Sequence, residues 1–366
     1  MSISSSLGTI PRPRKQMESS VTTIQQSDTL IGWQGIRFTL PPDWNLTSFS
    51  LESESGYLRV DSPGDSGLCA QVRWQTAGRN TRKIRTMYDI LAPHARKLFR
   101  RPEPVVPPPD LKATLEKILK ASKKEASKSK MTFESVIKSE RTEGVAGERT
   151  AASFSFVGVG RGQGKIWHCK VCNRIVVAQI VGTQKDSRAI QAIASQFLGS
   201  LSCHSSTEYD LWALYDLNVE IPKTFKLNSQ KVMSGNLQLS FMHGGEMIRV
   251  ERWGLATMVL KKFTIEEWLR ANAYINAGKA LVQESACNEK HAGVESQLKV
   301  KLFDKIKLFK LARGFALPMA SHYAGCMWLC PEEQKLFMVE VLTRKKNPEL
   351  MHKVASSCNC HSGSSL

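Results

Sequence analysis

The chain has 366 residues and carries 51 Lys plus Arg against 33 Asp plus Glu, a formal charge of +18. That length accommodates two domains with real cores, and it holds no run of 18 apolar residues, which excludes a transmembrane helix. A field this positive attracts polyanions, whether nucleic acid, anionic surfaces or acidic proteins, and by itself it does not choose among them.

Residues 1–30 lack hydrophobic periodicity and read as a disordered arm. Met1 to Lys15 is Ser-rich, ends in Pro11-Arg12-Pro13-Arg14-Lys15, and has no apolar stretch of the secretory kind. The expected compartment is therefore the cytoplasm, where thiols stay reduced. The nine cysteines are an odd number, which also argues against a fully paired disulfide framework.

Order is expected from Ile31. Strict alternation over Ile36 to Leu40 predicts a strand, closed by a turn at Pro41-Pro42-Asp43-Trp44. Gly56 to Val60 and Cys69 to Trp74 read as further strands, and Ile84 to Phe99 as a helix with a bend at Pro93. The same order then returns. Leu217 to Ile221 precedes Pro222-Lys223-Thr224-Phe225, Leu237 to Phe241 matches the Leu58 strand with Gly235 at the place of Gly56, Arg252-Trp253 repeats Arg73-Trp74, and Ile265 to Leu281 supplies the helix. Hairpins over Lys165–Val181 and Cys326–Thr343 precede final helices beginning near Asp186 and at Asn347-Pro348-Glu349, a cap followed by Pro and an early acid.

The repeat is clearest in Trp167-His168-Cys169 with Cys203-His204, and in Trp328-Leu329-Cys330 with Cys360-His361. It points to a tandem duplication, with a first repeat over 31–204, a second over 205–366, and a short polar link near Ser205–Asp210 that favours packing of the two. The expected fold class is α+β: two duplicated α/β/α-type sandwich domains, each with a largely antiparallel sheet and two main helices. The element order and the Pro-x-x-aromatic turn resemble the Mog1/PsbP-like α/β/α sandwich over about 170 residues per copy. The Trp-x-Cys and Cys-His pairs also resemble those of uncharacterised prokaryotic tandem proteins. The first resemblance implies a binding or assembly factor, and neither implies an enzyme.

The first copy holds a basic insert over 100–130. From Arg79 to Lys130 there are 15 basic and 5 acidic residues, a net of +10. A polyproline-like spacer, Pro102 to Pro109, leads to Asp110, which caps a helix with Leu111, Leu115, Ile118 and Leu119 on one face and lysines on the other. Its tail, Lys120 to Lys130, reads as mobile. One reading is a phosphate-contacting arm using Arg79, Arg82, Lys83, Arg85, Arg100, Arg101, Lys112, Lys123 and Lys124, joined by Lys305, Lys307 and Lys310 from the matching insert. The other is a solvated amphipathic helix lying on its own domain.

The cysteines admit several readings. Cys169, Cys172, Cys203 and His204 have the donor types of a Cys3His zinc site, and Cys-x-x-Cys is an apt chelate. In the second copy Glu333 matches Cys172, so Cys330, Cys360 and His361 recur and Cys326 is the substitute. Alternatives are a strand-to-helix disulfide in each copy, plain core thiols with His204 and His361 capping helix ends, and a reactive Cys172 thiol. Cys358 aligns with Leu201 and reads as core. Gly158 to Gly164 reads as a hairpin loop rather than a phosphate cradle, because strands flank it and no Lys-Ser/Thr follows. His243-Gly244-Gly245 reads as a turn. No catalytic set is recognisable. The expected function is non-catalytic binding or scaffolding of a nucleic acid or acidic protein through a basic surface. The alternative is a zinc-binding or thiol-redox protein.

Overall fold

The computed structural model describes residues 28–50, 55–64, 67–77, 109–144, 147–233, 235–275, 282–288, 290–300 and 320–360. The Ile84–Phe99 helix, the Pro102–Pro109 spacer and His361 lie wholly or almost wholly outside them. So do Arg79, Arg82, Lys83, Arg85, Arg100, Arg101, Lys305, Lys307 and Lys310. The first half runs β1 (Thr29–Trp33), β2 (Ile36–Leu40), β3 (Asn45–Phe49), β4 (Ser55–Asp61), β5 (Cys69–Thr76), α1 (Leu111–Lys128), β6 (Glu134–Gly144), β7 (Gly147–Val157), β8 (Arg161–Cys169), β9 (Arg174–Gly182) and α2 (Ser187–Ser200). The second runs β10 (Tyr209–Leu214), β11 (Leu217–Pro222), β12 (Lys226–Met233), β13 (Asn236–His243), β14 (Glu246–Trp253), α3 (Ala256–Leu260), α4 (Ile265–Asn272), β15 (Val282–Asn288), β16 (His291–Lys299), β17 (His322–Cys330), β18 (Lys335–Thr343) and α5 (Pro348–Ser356).

The expected α/β/α sandwich with two main helices per domain is not what forms. Among the described residues strand outweighs helix, 51% to 22%, and the strands make three antiparallel sheets: one of four strands, β11-β10-β1-β2, and two of seven, β3-β4-β5-β9-β8-β7-β6 and β12-β13-β14-β18-β17-β16-β15. The second seven-stranded order is the first with each strand number raised by nine. Edge strands account for much of the difference from expectation. β12 exposes most of its residues to solvent and alternates only weakly, so its pattern carries little strand signal.

The four-stranded sheet takes two strands from each half. β1 and β10 meet at Gly32 and Ala213, and a Cβ on Gly32 would lie 2.8 Å from the Leu211 carbonyl oxygen, so that close approach needs glycine. An aromatic chain crosses the same seam. Phe49 meets Trp33 edge-on at 5.1 Å, Trp33 meets Trp212 at 4.9 Å and Trp212 meets Phe241 at 4.8 Å, in the offset geometry that ring quadrupoles favour. One core therefore runs through both halves, with α2 against β2, β8 and β9, and α5 against β11, β17 and β18.

The two halves do not align residue for residue as the sequence suggests. Trp74 points into this shared core, whereas Trp253 points to the opposite face, against Trp268 of α4. Gly56 is the second residue of β4, across from Trp74, whose indole occupies the place of a side chain. Gly235, in contrast, is a turn residue with φ 82°. In the Gly158–Gly164 stretch only residues 158–160 form the loop. Gly162 and Gly164 belong to β8, opposite Phe156 and Phe154. Gly244 and Gly245 do form the β13–β14 turn, with φ 54° and 89°.

On the outer face of the first seven-stranded sheet, α1 lays Leu111, Leu115 and Leu119 over Phe154, Phe156 and Ile166. Asp110 caps it, accepting from the Ala113 amide at 3.0 Å. The helix continues to Lys128 and buries Ala126, so the tail expected to be mobile is helical; Ala and Lys are strong helix formers. No helix among the described residues is long and apolar enough to cross a membrane.

Candidate metal centre

Alternation along β8 turns Trp167 and Cys169 into the shared core, and Cys169 is the last residue of the strand. The chain turns through residues 170–173, with Asn173 at φ 50° and its side chain bonded to the Ala77 carbonyl at 3.2 Å. That turn carries Cys172. After α2, backbone bonds of 2.8 and 2.9 Å between Ser202 and Arg37 clamp the following segment to β2, placing Cys203 and His204 beside the end of β8. The donor atoms of Cys169, Cys172, Cys203 and His204 all lie within 4.8 Å of one another.

The separations have the scale of a coordination shell. Cys169 Sγ and Cys203 Sγ each lie 3.5 Å from His204 Nδ1, and Cys172 Sγ lies 3.9 Å from Cys203 Sγ. Tetrahedral zinc with bonds of about 2.3 Å to sulfur and about 2.0–2.1 Å to nitrogen gives edges of about 3.8 Å for sulfur–sulfur and about 3.6 Å for sulfur–nitrogen. The residues thus fit a metal ion in donor type, number and spacing.

The surroundings favour thiolate at Cys203. A hydrogen bond from Cys172 is the largest influence drawing the Cys203 thiol down, to about 4, against the effect of burial, with smaller help from the neighbouring Trp167, His204 and Cys169. Cys172, the donor, is pushed up by the same bond and by burial. The Trp167 indole N–H is buried and has no hydrogen-bond partner among the described residues.

The second half repeats part of this. Cys330 ends β17, Cys360 follows α5, and His291 opens β16; their donor atoms form a second group within 4.8 Å. Cys326 is not in it. That thiol is buried beside Cys287 and pushed well up by desolvation. Cys358 is a buried core residue. All nine cysteines are free thiols. Sequence reasoning missed His291, which enters from a strand with no fixed spacing to the cysteines. Of the expected polyanion contacts, Lys112, Lys123 and Lys124 stand on the exposed side of α1.

No family model matches the chain, and comparison with curated protein sequences finds no match. Solved structures give a weak fold-level likeness. CyanoP, the PsbP of Synechocystis sp. PCC 6803, is 8% identical at a TM-score of 0.30, over 51% of this chain and 99% of that one. The T6SS immunity protein TplEi of Pseudomonas aeruginosa, solved with an "L" peptide, is 10% identical at a TM-score of 0.30, over 92% of this chain and 99% of that one. Likeness at this level carries no argument about function.

Proposed function

We propose that this chain is a non-catalytic binding protein built by tandem duplication and stapled by a structural zinc ion at Cys169, Cys172, Cys203 and His204. The single observation that carries the reading is the set of four soft donors at tetrahedral edge lengths. Zinc there joins the β8–β9 turn to the segment leading from α2 into β10, and so ties the first half to the seam it shares with the second. The repeated strand order supports the duplication. Removing the ion with a strong chelator is expected to lower the melting temperature of the full chain by roughly 5–10 °C, with zinc but not magnesium restoring it. A melting curve indifferent to chelation would overturn the reading.

A second observation supports a polyanion-binding role. Lys112, Lys117, Lys120, Lys123, Lys124, Lys128 and Lys130 are all exposed on or just after α1, and phosphate contacts need no more than such a row. Binding to generic duplex DNA is expected to weaken steeply with salt. Replacing Lys112, Lys123 and Lys124 by Ala should flatten the log–log slope by up to about three. Salt-independent binding, or an unchanged slope in that variant, counts against it.

A further inference from the structure

We propose that His291, Cys330 and Cys360 form a second metal site unlike the first: an exchangeable centre for a thiophilic divalent ion of the zinc class. Two thiolates and one imidazole hold the ion, and its fourth position is left to water or an outside donor.

The backbone places two of these residues as it places their counterparts. Cys330 ends β17 as Cys169 ends β8, and Cys360 follows a residue clamped to β11 by the Asn359 amide, which donates to the Asn218 carbonyl at 3.0 Å. The turns after the two strands then differ. Glu333 stands where Cys172 does, and its carboxylate is taken by Lys335 at 2.8 Å, which also reaches Asp216 at 3.1 Å. That corner of the shell has lost its thiol.

The third donor comes from the other side. β16 pairs with β17 through Gly293 and Trp328, and continuing that register brings His291 opposite Cys330. His291 Nε2 lies 3.1 Å from Cys360 Sγ. Trp328, in the place of Trp167, likewise keeps a buried indole N–H without a hydrogen-bond partner among the described residues. Glu332 Oε2 sits 3.5 Å from Cys330 Sγ, so a carboxylate flanks the group.

Three protein donors with one position open is the arrangement of zinc sites that exchange ligands, whereas four close a structural site. Two thiolates also neutralise a dication, which suits the burial of Cys330 and Cys360. His291 is only half-buried, leaving an approach from solvent.

The test loads the full chain with zinc and follows release to a chromophoric chelator. The wild type should release two ions in two resolved phases. His291→Gln and Cys330→Ser should each abolish the fast phase alone, Cys203→Ser the slow phase alone, and His361→Ala neither. A wild type that releases only the slow ion, a fast phase that survives both His291→Gln and Cys330→Ser, or a fast phase lost in His361→Ala would overturn the proposal. Loss of the slow phase from the wild type would instead strike the first site, so the two readings fail separately.

Discussion

Cys203→Ser is expected to abolish metal binding at the first site and to cost the chain about 4 kcal/mol, the stabilisation given by an ion present at about a thousandfold excess over its dissociation constant. Cys203 is the residue on which the group converges. Cys172 hydrogen-bonds its sulfur, and His204 Nδ1 stands 3.5 Å away. A serine there keeps the volume but offers a poor ligand for a thiophilic ion. Cys69→Ser is the control. Cys69 is also buried, on β5, but bonds Gln71 and joins neither donor group. Metal analysis with thermal unfolding of both variants separates the readings. If the cysteines were plain core residues, the two substitutions would behave alike and neither would alter metal content.

Arg249→Met is expected to destabilise the protein by about 3–5 kcal/mol, because it strands two buried carboxylates. Arg249 bonds Glu251 and, at 2.7 Å, Glu340, and donates to the Asn272 carbonyl at 3.1 Å. The Glu340 carboxylate also accepts from the Tyr323 hydroxyl at 2.9 Å and the Tyr274 amide at 2.8 Å. Glu251 and Glu340 are 2% and 0% exposed, so neither has water to fall back on. The first half fills the corresponding paired positions with a neutral hydrogen bond, Gln179 to Gln71 at 3.0 Å, so a neutral pair suffices for this architecture. Arg249→Gln with Glu340→Gln should therefore cost less than the sum of the single changes.

The pH dependence follows from Glu251. Burial raises its carboxyl to about 7, against the pull of Arg249. A carboxyl with a raised folded-state pKa binds its proton more tightly when folded, so its charge costs stability as pH rises from the unfolded value near 4.5 to about 7, and the cost is constant above that. In Arg249→Met the opposing pull is gone. The deficit relative to wild type should be largest near pH 8 and shrink toward pH 5, as read by urea unfolding at the two pH values. A deficit independent of pH would mean that lost packing, not stranded charge, is responsible.

The first metal centre was largely legible in the sequence, because all four of its donors sit in two short motifs, Cys169 with Cys172 and Cys203-His204, that strand alternation and a helix end bring together. The second was half legible. Cys330 and Cys360 repeat the pattern, while His291 reaches the group through antiparallel pairing of β16 with β17, and no spacing rule encodes that register. The mismatch of Glu333 with Cys172 was the available hint that a different donor had to complete the shell. The fold was misjudged for a related reason. Polar strands such as β12, and β1 with Gly32 next to its last residue, owe their strand status to neighbours rather than to their own alternation. Likewise the shared Arg-Trp dipeptides suggested an equivalence that the pleat denies, since a one-residue offset sends Trp74 and Trp253 to opposite faces.

The most direct test of the central claim is X-ray absorption at the zinc edge on Cys330→Ser, a variant that leaves the first centre as the only expected site. Three sulfur neighbours at about 2.3 Å and one nitrogen at about 2.0–2.1 Å are predicted. A shell made only of nitrogen and oxygen, or a protein that retains no zinc, would contradict it.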